Sequence, residues 1–123
     1  MTVTRSLAIF AALGGALAVT TGAFAAHGAG PEVKLLLTTG AHYQLVHAGL
    51  ALLCAVWPGR TRWITLAGWL AASGGLIFAL ALSTVALSGL SVMGAVAPIG
   101  GLLMIAAWLM IALAAARARP LQA

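Results

Sequence analysis

The chain has 123 residues, of which 63% are hydrophobic and only 6% charged, and its mean hydropathy is +1.14. Soluble domains carry about a quarter charged residues, so a water-soluble fold is excluded. The formal charge of +5 comes from a few arginines between and outside the apolar runs, not from a basic face interleaved with aromatics, and this excludes nucleic acid as a partner.

Four apolar stretches of near-spanning length follow one another, at about residues 6–26, 40–57, 63–87 and 92–116. The loops between them are too short for a second domain, so residues 1–123 are read as one unit. Lipid requires every backbone group to be bonded within its own segment, and runs this long without two-residue alternation are not barrel strands. The expected fold class is all-α: an integral membrane bundle of four transmembrane helices.

The first stretch follows Arg5 and contains Gly14, Gly15 and Gly22, small residues that let helices approach closely. Its competing reading is a signal peptide, with Ala23-Phe24-Ala25 before a cleavage point. The run is nearer spanning length than a typical signal core, which favours a retained helix. Next comes the longest loop, about residues 27–39. There Gly30-Pro31-Glu32 reads as a helix start, with proline at the first position and an acid complementing the helix dipole. Val33, Leu35, Leu36 and Leu37 then either lie on the membrane surface or continue straight through Gly40 into the second stretch.

The second stretch carries His42, Tyr43, Gln44 and His47. Tyr43, Gln44 and His47 share a helix face, whereas His42 lies roughly 140° around from His47 and about 7 Å from it along the axis. The second stretch also holds Cys54, the only cysteine, so no intrachain disulfide exists. Trp57 and Trp63 bracket the loop carrying Arg60 and Arg62, where indoles settle at headgroup level. In the third stretch Ala67, Ala71 and Gly75 recur at four-residue spacing as a packing face. The fourth opens on Ala97-Pro98-Ile99-Gly100-Gly101, where Pro98 marks a helix start or a kink, with Ser83, Thr84, Ser88 and Ser91 available to satisfy a freed carbonyl. An unwound transporter-type site is the sharper alternative there, and it would need a second interrupted helix.

Arg5, Arg60, Arg62, Arg117 and Arg119 fall on one side, against Lys34 and Glu32 on the other. The positive-inside rule therefore puts both termini in the cytoplasm and predicts a multi-pass protein of the bacterial inner (plasma) membrane.

With the first stretch running from inside to outside, His27, His42, Tyr43, Gln44 and His47 form a candidate outer-side polar cluster, His47 within about two turns of the interface. Structural hydrogen bonding is favoured for it over proton or substrate handling and over metal or haem ligation. Glu32 is the sole carboxylate, which excludes hydrolysis by paired carboxylates and leaves no acidic ligand to complete a zinc site.

The segments GAFAAHG (22–28), TGAHYQLVHAGLALL (39–53) and APIGG through Trp108 together resemble the YgdD-like family of small four-span inner-membrane proteins, a family of unknown function with a related animal transmembrane protein. The resemblance covers essentially the whole chain. Its pattern falls on Gly22, His27, Tyr43, Gln44, His47, Pro98, Gly100, Gly101 and Trp108, the last four and Gly22 being helix-break and packing positions. His42 lies outside it, as does Ala79-Leu80-Ala81, where relatives carry small polar residues followed by Tyr.

The resemblance implies fold and location and lends no reaction. The expectation is a non-enzymatic structural or accessory subunit without catalytic residues, metal or cofactor, partnered by the lipid bilayer and by other membrane proteins or further copies of itself. The alternatives are a small oligomeric transporter or channel using the outer cluster, and a haem- or metal-binding protein with His27 and His47 as axial ligands.

Overall fold

The computed structural model describes residues 3–59 and 61–120. Arg60 of the basic loop lies outside the described residues. Four long helices, α1 (Arg5–His27), α2 (Pro31–Val56), α3 (Arg62–Ser88) and α4 (Ala97–Arg117), run up and down, with a short 3-10 helix (Ser91–Ala95) leading into α4. α1, α3 and the stretch Ser91–Arg117 are each long and apolar enough to cross a membrane. α2 is as long, at 26 residues, but is diluted by the polar residues of its middle.

The helices form a folded row. α2 packs against α1 on one flank and α3 on the other, α3 packs against α4, and α1 touches α3 only lightly. α2 and α3 accordingly bury far more residues than the flanking pair. The two polar side chains of α2 that are buried, Gln44 and His47, lie on the face it turns to its neighbours. Arg5, Arg62 and Arg117 open α1 and α3 and close α4, and so lie at one end of the bundle; Glu32 and Lys34 open α2 at the other.

Alanine and glycine build the interior. The largest side chains with essentially no exposure are Leu7, Leu37 and Cys54, and the main cluster places Ala11, Ala51, Ala55, Ala67 and Ala71 with Leu7 and Cys54 at the arginine end. Small side chains bring backbones together, the main source of cohesion between helices when lipid removes the hydrophobic drive. The closest approach joins α3 to α4: a Cβ on Gly100 would stand 2.6 Å from the Gly74 carbonyl oxygen and 2.6 Å from the Phe78 nitrogen. Gly22 meets Ala41 at an ordinary 3.9 Å. Gly101, expected as a packing residue, has nothing within 4 Å of its Cβ position, since it is rotated about 100° from Gly100 and points away from α3.

Polar edges are satisfied locally. Thr20, Thr21, Thr39 and Thr84 each donate to the carbonyl four residues back, so their hydroxyls make no demand on lipid. Pro98 occupies the first turn of α4, where its missing N–H has no partner to lose, and no kink results. Thr84 and Ser88 thus bond within α3 and repair nothing in α4. Gly89, with φ of 70°, ends α3 by donating its N–H to the Val85 carbonyl.

Candidate functional site

α2 starts at Pro31 and runs uninterrupted through Gly40, so of the two readings of residues 33–37 the continuous helix is the one adopted. That changes the depth of the polar residues. Gln44 falls at the midpoint of α2, and His47 lies roughly 24 Å from Pro31 at 1.5 Å per residue. Tyr43, Gln44 and His47, expected near the outer end, are therefore in the middle of the bundle, and His27 is not with them. Neighbouring helices agree: Gln44 lies beside Gly14 near the midpoint of α1 and Gly75 near that of α3.

The structure brings Tyr43, His47 and Trp108 together. Trp108 donates its indole Nε1–H to His47 Nε2 at 2.9 Å, joining α4 to α2 across 61 residues of sequence. His47 Nδ1 is 2.7 Å from the Tyr43 carbonyl oxygen. An indole nitrogen only donates and a carbonyl only accepts, so Nε2 must be the acceptor and Nδ1 must carry the proton. His47 is thereby fixed as the neutral Nδ1–H tautomer, with 5% of its surface exposed and both nitrogens committed. Rings support the arrangement: Tyr43 stacks on His47 at 6.4 Å and meets Phe78 edge-on at 5.2 Å, and His47 meets Trp108 edge-on at 6.0 Å.

The other two histidines are elsewhere. His27 closes α1 on the exposed surface. Because Gly15 faces Ala48 and Gly22 faces Ala41, the level of His47 on α1 is near residue 16, about 11 residues or roughly 16 Å from His27. One iron cannot bridge that distance, which removes the proposed axial pair. His42 points away from the α1–α3 side, touching Tyr43 edge-on at 6.0 Å. Among the described residues no three His, Cys, Asp or Glu side chains gather as a metal site.

Gln44, between Tyr43 and His47 in the expected stripe, has a different fate. It is 2% exposed, and both its amide nitrogen and its amide oxygen lack a hydrogen-bond partner. Sequence spacing identifies Tyr43, Gln44 and His47 as one stripe, but the partner Trp108 required knowledge of how α4 folds back.

A family profile described as "Protein of unknown function (DUF423)" matches residues 21–101, more than half of the chain. The chain belongs to the DUF423 family. Its relatives include the UPF0382 membrane protein YwdK of Bacillus subtilis, 34% identical over 116 residues, covering 89% of this chain and 94% of the relative. A UPF0382 membrane protein of Staphylococcus epidermidis is 39% identical over 114 residues, covering 86% of this chain and 91% of its own. No solved structure matches the chain. Membership makes this a membrane protein of a family of unknown function, and the DUF423 match includes Gln44 and His47 while ending before Trp108.

Proposed function

We propose that the chain is a non-enzymatic accessory subunit of the bacterial inner membrane, spanning it four times with both termini cytoplasmic and docking against other membrane proteins or copies of itself. The observation that carries this reading is the state of His47: the one histidine in the interior spends both nitrogens on internal bonds and ties helices together. A side chain so committed is a structural fastening, with no free nitrogen for proton transfer or metal. Large apolar side chains such as Leu13, Leu35, Leu87, Leu102 and Leu109 face outward from all four long helices, which suits contact with lipid and with other spanning helices.

Four spans are supported by the match in length and level between α2 and its neighbours, and the orientation by the arginines at one end. The narrower YgdD-like grouping belongs to this reading and rests on the motifs of residues 22–28, 39–53 and 97–108.

Two experiments test it. With Cys54→Ala as background, single cysteines at Gly30 and Gly89 should react with a membrane-impermeant maleimide in intact spheroplasts, and those at Gly59 and Ala118 only after lysis; the reverse pattern refutes the topology. Natively expressed protein purified in mild detergent should carry a stoichiometric partner polypeptide or further copies of itself. Bound metal, visible absorbance, or substrate flux by the reconstituted chain alone overturns the accessory reading.

A further inference from the structure

The middle of the bundle contains a second feature, independent of the His47 fastening. A cavity of about 200 Å³ lies between α1, α2 and α3, walled on the α1 side by Phe10, Leu13 and Leu17. Ala72 and Leu76 of α3 form the facing wall, and Gln44 and Ala48 of α2 form the back. Among the lining residues only Gln44 is polar.

The cavity follows from the packing, because α1 and α3 both lean on α2 but touch each other only lightly. Phe10 and Trp69, with ring centroids 5.4 Å apart, close the gap toward the arginine end. Above them the gap is open, and Leu13 and Leu17 at its edge are 66% and 43% exposed. Access is therefore sideways, from the hydrocarbon layer.

Gln44 sets the chemistry. A buried amide without partners is costly to keep, and the neighbouring backbone groups are already engaged in helix bonds. Water is a poor remedy, since an internal water needs two to four polar partners and the remaining wall is hydrocarbon. The complement to a primary carboxamide is a group with a donor and an acceptor on one carbon. A neutral carboxylic acid or a second primary amide forms two parallel bonds with it, donating to Oε1 and accepting from Nε2–H. A turn of the Gln44 side chain presents both atoms to the cavity.

We propose that this cavity is a binding site for a small neutral amphiphile, entering from the lipid between α1 and α3, whose acid or amide end pairs with Gln44 while its short hydrocarbon tail lies along Leu13, Leu17 and Leu76. The inference does not depend on the accessory reading.

The chain has two glutamines, Gln44 and Gln122, so labelling with ¹⁵N-glutamine gives two side-chain amide signals, and Gln44→Leu assigns them. Full-length protein in maltoside micelles is titrated with octanamide, with octanoic acid at a pH where it is protonated, and with octane. Octanamide, the acid or both should shift the Gln44 signal saturably, leaving Gln122 in place, and octane should not reproduce the shift. Which of the two polar probes acts identifies the end that is recognised. Leu17→Trp, which puts an indole across the mouth from a lipid-facing position, should weaken the apparent affinity by about tenfold or more. An unchanged Trp108 indole N–H signal shows that this variant is folded. Non-saturating shifts, shifts shared with Gln122, an equal response to octane, unchanged affinity in folded Leu17→Trp, or water contacts to Gln44 that neither polar probe displaces would each overturn the assignment.

Discussion

Replacing Trp108 with Phe tests whether α4 is fastened to α2 by the bond to His47. The substitution keeps an aromatic ring at a half-exposed position and removes the only donor to His47 Nε2, an acceptor on a residue 5% exposed. Stranding a buried acceptor costs about 1–3 kcal/mol, while hydrogen bonds between membrane helices measured by double-mutant cycles average about 0.6 and reach about 1.7 kcal/mol. Trp108→Phe should therefore lower stability by about 1–2 kcal/mol. His47→Leu should cost a similar amount, since it strands the indole N–H. The double variant leaves neither partner stranded and should recover about 0.6–1.7 kcal/mol relative to the sum. Reversible SDS titration in mixed micelles, followed by circular dichroism, reads all four corners of the cycle. The tautomer gives an independent check: ¹⁵N spectra of labelled His47 should show a proton on Nδ1 in the native chain. Additivity within about 0.3 kcal/mol, together with a proton on Nε2, would refute the fastening.

Gly100→Ala should cost about 2–3 kcal/mol in the same titration, because its Cβ meets backbone atoms of α3 at 2.6 Å and no side chain can move aside; Gly101→Ala, with open space at its Cβ, should be neutral or gain up to about 1 kcal/mol from helix propensity. Equal effects at the two positions would place the α3–α4 crossing wrongly. Cys54, free and with no exposed surface, should resist a small maleimide in native micelles and react on unfolding, so rapid labelling of folded protein would contradict the packing of α2 on α1 and α3. Gln44→Leu, similar in size and without the stranded amide, should raise the stability of ligand-free protein by about 1–3 kcal/mol, whereas a loss of that size would mean that the amide has a partner within the fold.

The parts of this structure legible in the sequence are those set by partition between water and lipid. Arg5, Arg62 and Arg117 mark helix ends because charge leaves hydrocarbon, and Ala67, Ala71 and Gly75 lie on one buried face because four residues nearly complete a turn. The start of α2 was less legible: Thr38, Thr39, Gly40 and His42 dilute its apolar run, so hydropathy places the span near residue 40, nine residues inside the helix. Hydropathy sums side-chain polarity and is blind to helix continuity, which the backbone keeps through Thr38, Thr39, Gly40 and His42. Counted from residue 40, His47 lies near the rim; counted from Pro31, it lies in the middle of the bundle. The neighbours Gly100 and Gly101 show the other limit, since composition treats them alike and only the placement of α3 separates a contact residue from an outward-facing one.

Gln44 and His47 are less than one turn apart on α2, yet they diverge by about 60° around the axis, and the helices on either side decide what each becomes. His47 turns toward α4, which reaches back to it with Trp108, so its polarity becomes cohesion. Gln44 turns toward the seam of α1 and α3, where Gly14 beside its amide nitrogen offers no hydrogen-bonding side chain. α4 is held by the Gly74–Gly100 crossing, by the His47 bond and by Ala107 in the main cluster, while the α1–α3 seam has the Phe10–Trp69 ring contact toward the arginine end. The fastened direction and the open seam are thus neighbours on one helix, and the unpaired amide is on the open one. A stripe of polar residues in the middle of the bundle here combines a fastening that favours one packing of the helices with an unpaired amide beside it.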